Sequence, residues 1–117
     1  MNNREIALLA AKAMDDRKGQ DVVILDVAQR ASFADYLVIA SGTTDRLVAA
    51  LCDEVEDRLA KEEIFVKSTE GKGNTGWILM DFGDVIVNVF TEEKRAHYNI
   101  ERLWGDCPRV DFEPTEE

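Results

Sequence analysis

Trp77-Ile-Leu-Met-Asp-Phe-Gly-Asp-Val-Ile-Val-Asn-Val-Phe90 is the stretch that decides the fold. Two apolar runs, residues 77–82 and 85–90, flank Gly83-Asp84. A Gly-Asp pair between β-rich runs predicts a hairpin, because glycine takes φ > 0 without steric cost. In the second run Val85, Val87 and Val89 alternate with Ile86, Asn88 and Phe90. Both sets are largely apolar, so this strand is expected to be covered on both faces. The first run opens Trp77-Ile-Leu-Met80 and is equally apolar. The hairpin is therefore placed in the middle of a sheet with helices packed on it.

Working outward, Ile6, Leu9, Ala10, Ala13 and Met14 recur at helical spacing, predicting a helix over residues 4–17 that stops at Gly19. Residues 21–28 and 35–41 are β-branched runs and read as strands. Ser41-Gly-Thr-Thr44 then turns the chain into the longest helix, residues 45–61, with Thr43 or Thr44 as N-cap. Leu47, Val48, Leu51, Val55 and Leu59 form its apolar stripe, and Asp53, Glu54, Glu56 and Asp57 its solvated face. Residues 64–68 predict a short strand and residues 92–104 a last helix. The order helix, strand, strand, helix, three strands, helix predicts an α+β (α/β) layer architecture, a mixed sheet of about five strands with flanking helices. Residues 1–107 are assigned to one domain and residues 108–117 to an acidic, flexible tail.

The 117 residues suit one core, and the net charge is −10. That balance opposes a broad phosphate-binding surface, so little nucleic-acid contact is expected, and a basic protein partner suits it better. Cys52 and Cys107 belong to no CxxC or Cys/His cluster and read as reduced thiols. No window reaches the roughly 18 consecutive apolar residues of a membrane span, and a soluble cytoplasmic protein without membrane contact is expected.

Gly71-Lys-Gly-Asn-Thr-Gly76 matches GxGxxG, but a strand follows it, where pyrophosphate binding needs a helix N-terminus. It reads as a loop between strands. Ser41-Gly-Thr-Thr44 has the better context for a phosphate, between a strand and a helix. A nucleotidyltransferase using this turn would need a carboxylate pair on the next strand. Ile64-Phe-Val-Lys-Ser68 offers none. His97 is the one histidine, and neither a metal site nor a cofactor site is expected. Asp81 and Asp84 flank the hairpin turn, where carboxylates commonly bond local amides. Trp77 and Trp104 are the largest apolar side chains, read either as core or as contact anchors.

The strings Gly19-Gln-Asp-Val-Val-Ile-Leu-Asp-Val27, Asp35-Tyr-Leu-Val-Ile-Ala-Ser-Gly42, Glu70-Gly71, Gly76-Trp-Ile-Leu-Met-Asp-Phe-Gly-Asp-Val-Ile-Val87 and Tyr98-Asn-Ile-Glu-Arg-Leu-Trp104 together resemble the ribosomal silencing factor, or Iojap-like, family. The resemblance covers roughly residues 4–105. It implies a nucleotidyltransferase-like fold without the catalytic carboxylates, no enzymatic activity and no cofactor. It also implies a translational repressor that binds the large ribosomal subunit through its fourteenth protein and blocks joining of the small subunit when nutrients are scarce. A homodimer in the free state is a further expectation. Glu70, Trp77, Ile78, Asp81, Asp84, Tyr98 and Glu101 are the expected partner-binding residues, with Trp77 and Ile78 as apolar anchors and the rest facing basic groups. Leu103 and Trp104 are assigned to packing. One departure from the family pattern stands at Asn88, where the second hairpin strand usually carries histidine.

Overall fold

The computed structural model describes residues 1–71 and 75–112. Nine elements run in the order α1 (Asn3–Asp16), β1 (Gln20–Asp26), β2 (Tyr36–Gly42), α2 (Asp45–Ala60), β3 (Ser68–Glu70), β4 (Trp77–Asp81), β5 (Val85–Thr91), α3 (Glu92–Tyr98) and α4 (Ile100–Leu103). The sheet order is β1-β2-β5-β4-β3. β2 and β5 pair in parallel and every other neighbouring pair is antiparallel, so the expected mixed α+β sheet is what the chain builds.

The hairpin forms where the Gly-Asp pair predicted it. Gly83 has φ +100°, and Asp84 does not share the positive φ, as a type II′ turn requires. Phe82 N–H donates to the Val85 carbonyl at 3.0 Å, and Gly83 N–H to Asp81 Oδ1 at 2.7 Å. β5 is central and buried from Val85 to Phe90. β4 is different: only Ile78 and Met80 are buried, while Trp77, Leu79 and Asp81 are half-exposed. Its apolar run is fully buried on one face only.

α1 and α2 cover that face. Ile6, Ala10, Met14, Val48, Leu51, Val55 and Leu59 pack on Ile24, Val38, Ile78, Met80, Val85, Val87 and Val89. Asn2 caps α1 in a capping box with Glu5, and Thr44 caps α2 by accepting from Leu47 N–H at 3.1 Å. α1 ends one step earlier than the glycine suggested. Lys18 takes the left-handed conformation (φ 69°), and Gly19 N–H returns to the Met14 carbonyl at 2.8 Å.

The opposite face carries a second, smaller core of Leu25, Val27, Ala34, Leu37, Ile39, Ile86, Phe90 and Cys107. Three expectations change. The last helix is broken: Asn99 sits in the left-handed region (φ 44°, ψ 51°) and separates α3 from α4. Tyr98 and Ile100, two residues apart, could not both face the sheet from one continuous helix. The strand expected over residues 64–68 is instead β3, Ser68–Glu70: Ser68 pairs with Asp81, where β4 ends, so earlier residues have no β4 partner. Ile64 and Val66 satisfy their alternation by packing on the main core without a strand partner. Finally, residues 108–112, expected to open a flexible tail, run along the outer edge of β1. Arg109 bridges Leu25, Asp26 N–H donates to the Pro108 carbonyl at 2.8 Å, and Val110 N–H donates to the Ile24 carbonyl at 2.9 Å. Val110 is buried and joins the main core. The remaining tail, residues 113–117, lies outside the described residues.

Candidate interaction surface

The half of the second face built by β3 and β4 is where the sheet stays open. Cross-strand pairing places Trp77 opposite Phe90, Leu79 opposite Asn88 and Glu70, and Asp81 opposite Ser68. Side chains alternate, so Trp77, Leu79, Asp81 and Glu70 project to one side of the sheet. Trp77 lies over Phe90 with ring centroids 5.0 Å apart and planes 24° from parallel. Tyr98 leans on the same indole at 4.8 Å and is itself 46% exposed. The Trp77 Nε1–H donates to Asn88 Oδ1 at 3.0 Å. The result is a half-exposed apolar and aromatic patch (Trp77, Leu79, Tyr98) with the carboxylates of Glu70 and Asp81 beside it.

Not every expected contact residue belongs to that patch. Ile78 is 5% exposed and faces the main core under α2, because it neighbours Trp77 in a strand and must point the opposite way. Asp84 is exposed at the turn, where its carboxylate receives Asn3 Nδ2 at 3.3 Å. It lies beyond Asp81, itself roughly 13 Å along the strand from Trp77. Glu101 is held internally: its carboxylate accepts from Arg95 Nε at 2.9 Å and has Arg109 at 3.9 Å. Leu79, not among the expected contact residues, lies on the same side as Trp77 by the period-2 alternation that buries Ile78. Leu103, assigned to packing, is exposed, whereas Trp104 is half-buried with Phe33 edge-on to it and the Arg30 guanidinium over its ring.

The turn after β2 is occupied by structural bonds. Ser41 is buried and its hydroxyl donates to the Gln20 carbonyl at 3.3 Å, while Arg95 Nη1 donates to Ser41 Oγ at 3.3 Å. Thr44 is the α2 cap. Gly71 and Gly76 have φ of +88° and +81° and serve the β3–β4 connection, with no helix following them; residues 72–74 of the motif lie outside the described residues. Among the described residues no group of three or more His, Cys, Asp or Glu converges to hold a metal, and no helix is long and apolar enough to cross a membrane.

A family model described as "Ribosomal silencing factor during starvation" matches residues 1–117. The chain belongs to the ribosomal silencing factor family. The ribosomal silencing factor of Bacillus subtilis is 40% identical over 113 residues, 97% of this chain and 96% of that protein. A crystal structure from Chromobacterium violaceum superposes with TM-score 0.87 at 36% identity, covering 90% of this chain and 88% of that one. Another, from Bacillus halodurans, gives 0.81 at 36% identity, covering 93% and 99%. The family's name implies a ribosome-associated regulator of translation and not an enzyme, so the nucleotidyltransferase alternative at residues 41–44 is not favoured.

Proposed function

We propose that the chain lowers translation by docking on the large ribosomal subunit, through the subunit's fourteenth protein, and standing where the small subunit must join. No chemistry is needed. A folded domain seated at the joining face occludes it, and repression follows mass action between its concentration and its dissociation constant. The observation that carries this reading is the open β4 face: Trp77, Leu79 and Tyr98 form an apolar centre, and Glu70 and Asp81 supply an acidic edge. Such a patch fits a basic partner with an apolar cleft, where aromatic anchors supply affinity and rim carboxylates supply orientation and encounter rate. Of the remaining expected residues, Asp84 serves as an outlying charge. Ile78 supports Trp77 and Leu79 from beneath, and Glu101 braces α4.

The test is a joining assay. Purified protein is added to separated subunits, joining is followed by light scattering, and sedimentation shows where the protein travels. Co-migration with the large subunit and dose-dependent loss of joined ribosomes are expected. A folded sample that neither co-migrates nor slows joining overturns the proposal.

A further inference from the structure

Asn88 and Ser41 are the buried polar side chains among the described residues, and Asn88 lies in the middle of the central strand at 3% exposure. A buried amide costs stability unless its hydrogen bonds are made. Here its oxygen accepts the indole N–H of Trp77 from the neighbouring strand at 3.0 Å. Its neighbours across the sheet are Ile39 on β2 and Leu79 on β4, both apolar. The floor of the patch around it is therefore apolar, and the Asn88 oxygen is the acceptor to which the structure joins the Trp77 nitrogen. The indole is held from three directions: Phe90 stacks under it, Tyr98 leans against it, and Asn88 fixes its rotation by the nitrogen edge.

From this geometry we infer that Asn88 is a positioning residue: it presets the Trp77 indole in the orientation that the docking surface presents, so that the partner meets a preformed anchor. The inference rests on the proposal that the β4 face is the docking surface. Without the Asn88 oxygen, the indole N–H would lie against hydrocarbon and lose its bond. Turning outward to reach water would restore a partner for it, but would dismantle the stack with Phe90 and Tyr98. An anchor that must be re-ordered on binding loses affinity through that ordering step.

The test combines a structural and a binding readout on Asn88→Leu, Asn88→His, Trp77→Phe and the double variant Trp77→Phe/Asn88→Leu. The Trp77 indole N–H resonance is assigned by its loss in Trp77→Phe. In Asn88→Leu it is expected to move and to exchange faster with solvent, and affinity for isolated large subunits to fall about tenfold. Asn88→His, whose ring nitrogen can accept the same N–H, is expected to restore both. In the Trp77→Phe background, which has no N–H to hold, Asn88→Leu is expected to change affinity by less than about twofold. An unmoved indole resonance overturns the inference, as does an equal loss of affinity in both backgrounds. If Asn88→Leu fails to fold, Asn88→Ala, which also removes the acceptor, takes its place and is read by the same resonance and affinity. Failure of the unaltered protein to bind large subunits overturns the docking proposal instead, and removes the binding part of this inference with it. The resonance still reports whether Asn88 sets the indole.

Discussion

Arg95 Nε donates to Glu101 Oε1 at 2.9 Å, and this contact spans the break between α3 and α4. The same guanidinium reaches the Gln20 carbonyl at 3.2 Å and the Ser41 hydroxyl at 3.3 Å, with the Arg95 side chain 11% exposed. Neither α3 nor α4 contributes a buried residue, so this arginine is a main tie between the short helices and the sheet. Arg95→Ala is expected to destabilise the protein by about 2 kcal/mol, because it strands partly buried partners of a charged donor. Hydrogen exchange should quicken first in residues 92–103 while β5 amides stay protected. Uniform acceleration across the sheet would contradict this local role.

Ile78 and Leu79 are adjacent and face opposite sides, which separates stability from docking in one experiment. Ile78→Ala is expected to cost about 3 kcal/mol by leaving a cavity under α2, with subunit binding retained in the folded fraction. Leu79→Ser should cost less than Ile78→Ala, because Leu79 is only partly buried, yet weaken binding by removing apolar surface from the patch. Paired thermal melts and sedimentation read both effects.

Glu70 is exposed on β3, beside Leu79 in the pairing. Glu70→Lys is expected to slow association with large subunits several-fold at low salt, with little effect on the melting temperature. The difference should shrink as ionic strength rises and the charges are screened. Stopped-flow association at two salt concentrations checks it. A salt-independent loss would mean that the charge does not steer encounter.

A Cβ at Gly71 would clash with the Trp77 carbonyl oxygen, and the residue's φ is +88°. Gly71→Ala is therefore expected to destabilise by more than about 1 kcal/mol and to disturb the start of β4. A neutral result in a thermal melt would show that the loop re-routes around the clash.

The hairpin, the main helical stripe and the element order are legible in the sequence, because each is a local signal: a Gly-Asp turn, a 3.6-residue period, a cap. What is not legible depends on partners distant along the chain. The length of β4 decides that β3 pairs at residues 68–70 and not earlier. The edge of β1 gives residues 108–112 a place that their polar, proline-containing composition does not suggest. The kink at Asn99 lets Tyr98 lie on Trp77 while Ile100 packs on the second core, contacts with elements distant along the chain. For the interaction surface, the stretch around Trp77 is recognisable as unusual. Trp77 and Ile78, both expected as anchors, lie on opposite sides of β4, Trp77 partly exposed and Ile78 buried. Glu101, expected to face basic groups of a partner, also accepts from Arg95 within the chain, a contact that only the fold creates.

The alternation along β4 has a consequence for how such a chain drifts over generations. Ile78 and Met80 line a pocket with Cys52 on α2, whereas Trp77, Leu79 and Asp81 face outward. Substitutions at 78 and 80 are expected to covary with α2, and substitutions at 77, 79 and 81 with whatever surface the protein meets. Two lineages of constraint thus share five consecutive positions without mixing. A one-residue insertion within the strand would exchange them, exposing the core set and burying the outward set in a single step. Point substitutions are tolerable here one face at a time, but a change in strand length is not.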